Sequence, residues 1–286
     1  MAKGKLDQGV IDLYDRFTHG DIDRRKFLEK LTILAGSTGA AYALLPLLKN
    51  NYALAEIVPE NDARIVVETI QIGAFNVYLA KPASGDKFPA VEVIHENRGL
   101  NPHIKDVTRR LATEGFLAGG VDFLSPLGGT PADEDKAREM IGTLDKAATV
   151  QGAVDVVAAL RTHANSNGKV GAIGFCWGGA MVNNLAVADP TLDAAVAYYG
   201  MQPDPADVPK IKAPLLLQYA GIDDRVNAGI EAYKAALEKE GKEFQLYMYE
   251  GANHAFNNDT NTARYDESAA TLAWGRSIEF LKSKLT

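Results

Sequence analysis

Cys176 is the one cysteine of the chain. It stands in Gly174-Phe175-Cys176-Trp177-Gly178, at the end of the apolar run 170–175. A short apolar run of this kind reads as a buried strand. Glycines two places on either side of the thiol fit a sharp strand-to-helix turn that presents a nucleophile, because side chains there would collide with adjoining backbone. Residues 177–188 read as the helix that follows. Its N-terminus would face the sulfur, lowering the thiol pKa and favouring an anion in front of it. A lone cysteine is also commonly a small buried hydrophobe, so the turn by itself does not decide the chemistry.

A thiol nucleophile needs a base, and the base needs a group that orients it. His254 in Glu250-Gly251-Ala252-Asn253-His254 and Asp223 in Gly221-Ile222-Asp223-Asp224 each follow a β-rich run. Those are the strand ends where sites form in an open α/β sheet. Asp224 competes with Asp223, and either would also serve as a helix cap. His254 would take the Cys176 proton and later activate water, with Asp223 holding the ring tautomer. Of the other histidines, His95 lies at a strand end beside Glu96, whereas His19, His103 and His163 are less well placed. The chain order nucleophile, acid, histidine is that of an α/β-hydrolase.

The elements that must position these groups alternate. Runs at 64–72 and 75–80 flank Gly73-Ala74, a hairpin signal. Further strands are expected at 88–95, 116–123, 170–175, 194–199, 214–220 and 244–249. Helices are expected at 104–114, 150–163, 177–188, 228–240 and within 263–284. Strands alternating with helices mean βαβ units, hence a mostly parallel central sheet with helices on both faces. The polar stretch 124–149 is expected to be irregular, with a short helix over the site, and residues 56–286 form a single domain.

Phe88-Pro-Ala-Val-Glu-Val-Ile-His-Glu96-Asn-Arg-Gly99, the turn at Cys176, Tyr198-Tyr199-Gly200 and Glu250-Gly-x-x-His254-x-Phe256 together resemble the dienelactone hydrolase family over residues 60–285. The resemblance implies an α/β-hydrolase with a triad of Cys176, His254 and Asp223, cleaving a small-molecule ester or lactone through a thioester. It also implies that Glu96 rests against the thiol, keeps it neutral and changes partner when substrate arrives. The backbone N–H groups of Asn97 and Trp177 would form the oxyanion hole. Arg98, Tyr199 and Phe256 are candidate substrate contacts. The two arginines that hold a lactone carboxylate in the family fall here on Asn258 and in Asp122-Phe-Leu-Ser125-Pro126, without positive charge. A desolvated carboxylate without a cation is costly, so uncharged esters are the expected preference. Arg98, Arg138 and Arg264 are the candidate substitutes.

The net charge of −7 argues against a nucleic-acid partner. One cysteine excludes a disulfide framework and any multi-cysteine metal site, and no metal or cofactor is expected. Residues 1–55 are expected to lie outside the fold. Asp23-Arg24-Arg25-Lys26-Phe27-Leu28 precedes the uncharged run 31–48, and Ala53-Leu54-Ala55 stands before Glu56. This pattern resembles a twin-arginine export signal with a cleavage site, with Asp23 where Ser or Thr is usual. The expected partner is the twin-arginine export machinery and the expected place periplasmic or secreted, with no stable membrane insertion of the mature domain. The alternatives are an uncleaved membrane anchor or an amphipathic helix packed on the domain. A non-catalytic binding or thiol-sensing protein on the same fold is the competing functional class.

Overall fold

The computed structural model describes residues 6–54 and 56–286. Three helices come first: Gln8–Thr18 (α1), Arg24–Ala35 (α2) and Thr38–Leu48 (α3). The strands are Ile65–Ile72 (β1), Phe75–Pro82 (β2), Phe88–Ile94 (β3), Leu117–Asp122 (β4), Ser166–Phe175 (β5), Ala194–Tyr198 (β6), Leu215–Ile222 (β7) and Phe244–Asn253 (β8). Between and after them lie Pro102–Thr113 (α4), Glu134–Ile141 (α5), Lys146–Thr162 (α6), Trp177–Ala188 (α7), Asp224–Asn227 (α8), Ile230–Lys239 (α9) and Glu267–Leu285 (α10).

One sheet holds all eight strands in the order β1-β2-β4-β3-β5-β6-β7-β8. The hairpin β1–β2 is antiparallel and joins β4 antiparallel, while β4, β3, β5, β6, β7 and β8 run parallel. Successive side chains of a strand point to opposite faces, so a sheet covered twice must be apolar on both. Val91, Val93 and Ile173 pack with Ile104, Val107 and Leu111 of α4 and Phe280, Leu281 and Leu285 of α10. On the other face Ile94, Val170 and Leu217 pack with residues of α6, α7 and α9, among them Val157, Leu160, Val182 and Leu237. This is the expected α/β-hydrolase architecture. The parallel strands all end on one edge, which brings the segments after β3, β5, β6, β7 and β8 together.

The first helices correct the expectation that residues 1–55 lie outside the fold. Asp23 is the N-cap of α2, its side chain accepting from the backbone N–H of Lys26, and Ser37 caps α3 in the same way. Arg24 pairs with Asp135 at 2.8 Å. The apolar run is broken at Gly36-Ser37, where α2 and α3 bend by 111°. Among the described residues no single helix is long and apolar enough to cross a membrane. Val10, Leu13, Tyr14 and Phe17 of α1 instead close a small core with Phe27, Leu31, Ala41 and Leu48. Polar ties then dock this unit on the sheet edge: Asn97 Nδ2 donates to Thr18 O at 2.8 Å, Arg138 Nη1 to Phe17 O at 2.9 Å, and Asn261 Nδ2 to Leu48 O at 2.8 Å. Ala55, which ends the Ala53-Leu54-Ala55 cleavage pattern, lies outside the described residues.

Candidate active site

β5 delivers Cys176 to the sheet edge. The residue has φ 56° and ψ −114°, a left-handed backbone that costs a side-chain-bearing residue energy and persists only when its surroundings impose it. They do so from two sides. The backbone N–H of Cys176 donates to the carbonyl of Tyr198 at 3.0 Å. Helix α7 also runs so close to β3 that a Cβ on Gly178 would lie 2.3 Å from the carbonyl oxygen of Ile94. Glycine is the one residue that permits this approach, and the approach aims the sulfur into a cavity of about 510 Å³.

His254 follows β8, and Asp223 follows β7 as the N-cap of α8. The ring Nδ1 of His254 lies 2.6 Å from Asp223 Oδ2, and Asp223 Oδ1 accepts from the Val226 N–H at 3.2 Å. With Nδ1 so engaged, Nε2 of His254 is the free nitrogen, buried and without a hydrogen-bond partner. The next neighbour is a histidine that reads as less well placed in the sequence. His19, at the C-terminal end of α1, places Nε2 3.4 Å from Cys176 Sγ. Its Nδ1 lies 2.8 Å from the carbonyl oxygen of Asp15 and 3.3 Å from Asp15 Oδ2. The two imidazoles meet edge to face with centroids 4.7 Å apart. The sulfur is thus flanked by two imidazoles, each backed by an aspartate, and Asp15 is itself held by Arg264 at 3.4 Å.

This arrangement sets the charge state. Burial alone would raise the Cys176 thiol pKa, but His254 and then His19 outweigh it and lower it to about 5. Burial would lower both imidazoles; instead Asp223, the thiolate and Asp15 raise His254 well above its usual value, and the thiolate and Asp15 raise His19. The mutual pairing of the three groups favours the thiolate with imidazolium over the neutral pair.

The family model described as dienelactone hydrolase matches residues 75–285. The chain belongs to the dienelactone hydrolase family. It is a hydrolase of the carboxymethylenebutenolidase-like kind. A second family model, YqhI-like, matches residues 1–36, the span that carries α1 and α2. A provisionally named carboxymethylenebutenolidase of Methylorubrum extorquens is 32% identical over 270 residues, covering 87% of this chain and 91% of that protein. The hydrolase fragment YghX of Escherichia coli K12 is 49% identical over 112 residues, 37% of this chain and 96% of the fragment. A solved structure of a provisionally assigned dienelactone hydrolase from Klebsiella pneumoniae matches with TM-score 0.69 at 26% identity, over 76% of this chain and 98% of that one.

Within this dienelactone hydrolase family member, Asn97, Trp177 and Tyr199 border the Cys176 cavity. Three expectations are corrected. Glu96 does not rest on the thiol: its Oε2 accepts from Asn258 Nδ2 at 2.7 Å, and His19 is the hydrogen-bond partner found at the sulfur. Arg98 is turned away to Glu134 at 2.5 Å and to the Tyr14 hydroxyl, and borders a second cavity of about 610 Å³ beneath α1–α3. Phe256 is fully buried and packs edge-on against Tyr199 at 5.3 Å, a core residue under the site. Of the candidate arginines, Arg138 borders the Cys176 cavity, while Arg264 is committed to Asp15. Arg225, which sequence reasoning missed, borders the cavity too, and its buried Nε has no partner. Asp15 and His19 did carry a signal: four residues apart, they share one face of a helix.

Proposed function

We propose that this protein hydrolyses a small-molecule carboxylic ester or lactone through a thioester on Cys176. The observation that carries the reading is the 2.6 Å contact of His254 with Asp223, which leaves the free Nε2 facing the sulfur at the strained turn. The thiolate adds to the acyl carbon, and the developing oxyanion is met by the N–H groups of Asn97 and Trp177. His254 gives its proton to the departing alkoxide, leaving the acyl group on sulfur. The neutral ring then takes a proton from water, the hydroxide adds to the thioester, and the carboxylic acid leaves with return of the thiolate. Arg138 and Arg225 line the cavity together with Asp23 and Glu139, and Arg138 is engaged by Phe17 O and Asp135, so the wall offers no surplus of positive charge for a substrate carboxylate and uncharged esters remain the expected preference. Wild-type protein should turn over p-nitrophenyl acetate, and peptide mapping after rapid quench should find the acetyl group on Cys176. Cys176→Ser should lose at least about two decades in kcat/KM, because a hydroxyl must be deprotonated in the transition state. Equal turnover by Cys176→Ala would remove the nucleophile from this reading, and no turnover by the wild type would favour a thiol-sensing protein.

We also infer that α1–α3 stay with the working enzyme. The support is the contact of His19 with Cys176, which cleavage before Glu56 would abolish. Export by the twin-arginine machinery is a separate proposal that rests on Arg24-Arg25. Intact-mass measurement on protein from fractionated cells should find a chain that retains His19. A mature chain starting at Glu56 would overturn the inference. Loss of periplasmic protein in the Arg24→Lys/Arg25→Lys variant would support export.

A further inference from the structure

The cluster at the sulfur has a property that hydrolysis does not require. One ligating atom each from His19, Cys176 and His254 lies within 4.8 Å of the others. In a tetrahedral zinc site the bond lengths put neighbouring sulfur and nitrogen ligands about 3.3–3.6 Å apart. His19 Nε2 and Cys176 Sγ already stand at 3.4 Å. Both rings are oriented as metal-binding histidines are. Each uses Nδ1 toward an acceptor, His254 toward Asp223 and His19 toward Asp15, which fixes the ring and leaves Nε2 directed inward. Nε2 of His254, on a residue 3% exposed, is buried with no partner. A single cysteine excludes sites built from several thiols, but not this one.

We propose that His19 Nε2, Cys176 Sγ and His254 Nε2 form a binding site for a borderline-soft divalent cation, Zn²⁺ above all. Two imidazoles and a thiolate suit Zn²⁺ and disfavour Mg²⁺ or Ca²⁺, which take oxygen ligands. The carboxylates of Asp15 and Asp223 lie directly behind the ligands and offset the cation's charge, while at the cavity wall Arg138 and Arg225 are balanced by Asp23 and Glu139. A fourth coordination position opens on the cavity bordered by Thr18, Trp177 and Tyr199, where water has room. One ligand comes from α1 and two from the sheet edge, so the bound ion fastens the N-terminal helices to the hydrolase domain. On the reading of Cys176 as nucleophile, the same ion occupies both sulfur and base and arrests hydrolysis reversibly.

Cobalt is the probe, on the reduced full-length chain. Co²⁺ should bind one per chain with a near-ultraviolet thiolate-to-metal charge-transfer band, and equimolar Zn²⁺ should bleach it whereas excess Mg²⁺ should not. Cys176→Ser should lose the band. His19→Ala should weaken binding at least tenfold, and Asp15→Asn, which keeps all three ligands, about tenfold or more. Circular dichroism checks that each variant is folded. Absence of the band, or unchanged affinity in folded His19→Ala, overturns the site. Ester turnover that continues on the zinc-loaded chain would leave the site standing and instead remove Cys176 as the nucleophile, so the two failures are distinguishable.

Discussion

Replacing His254 with alanine will cost about two to four decades in kcat/KM for p-nitrophenyl acetate, yet will leave iodoacetamide alkylation of Cys176 at pH 7 within about tenfold of wild type. On the proposed mechanism the two rates part because two groups share the work of making the thiolate, whereas one delivers protons. His254 and His19 together lower the thiol to about 5 against burial. Loss of His254 raises that pKa and so lowers the thiolate fraction at pH 7. His19 still faces the sulfur, and a more basic thiolate is the better nucleophile, which offsets part of the loss. No remaining group is aligned by Asp223 to protonate a leaving alkoxide, so turnover has no such compensation. Wild-type alkylation should be flat above about pH 6, since the thiol is already ionised there. In His19→Ala/His254→Ala burial acts without the imidazoles, and the inflection should move above the ordinary thiol value. Asp23, Arg138, Glu139, Tyr199 and Arg225 also border this site and are kept in every variant, as is Glu96, whose charge acts on Tyr199. A parallel collapse of alkylation and turnover in His254→Ala alone would show that His19 does not support the thiolate.

Gly178→Ala should destabilise the protein by about 3 kcal/mol and lower turnover about a hundredfold. The added Cβ would meet the carbonyl oxygens of Ile94 at 2.3 Å and His95 at 2.5 Å. Both are backbone atoms of β3 and its exit, so no side chain can swing away, and α7 must shift. That shift carries Cys176 with it, because Cys176 is the N-cap of the same helix. Gly275→Ala is the matching control. Gly275 lies within α10 and nothing stands within 4 Å of its added Cβ. It should be neutral or stabilising by up to about 1 kcal/mol. Urea unfolding reads both as changes in midpoint at constant slope, and equal midpoints for the two variants would sink the packing argument.

The sheet and its pair of strand-end residues were legible because their signals are local. A β-rich run followed by Gly221-Ile222-Asp223 or by Gly251-Ala252-Asn253-His254 states both the strand and the group at its end. Expectations failed where a residue's partner lies far along the chain. Glu96 meets Asn258 across 162 positions, and Arg98 meets Tyr14 across 84. Nothing near Glu96 announces an amide, and nothing near Arg98 announces that its charge is already used. The first helices failed for another reason. An apolar stripe of Val10, Leu13, Tyr14 and Phe17, followed by paired arginines and an uncharged run, suits an export signal or a docked helix equally. The caps that Asp23 and Ser37 form and the left-handed Gly36 are what separate α2 from α3, and none of the three is read from the sequence as a helix signal.

The way α1 reaches the sheet edge has a consequence for how the protein is made. Asp15 and Arg264 are 249 positions apart, and Gln8 and Asn253 are 245 apart. During synthesis α1–α3 leave the ribosome before any strand of the sheet exists, with their small apolar core available to form at once. Their landing place is built from the segment after β3, helix α5 and the segment after β8, so it is complete only once β8 has been made and paired. Closing a loop of that length comes late in folding, after the nearer contacts have formed. The helices synthesised first are therefore among the last to dock, and the thiol acquires its second imidazole after the turn that carries it is already folded.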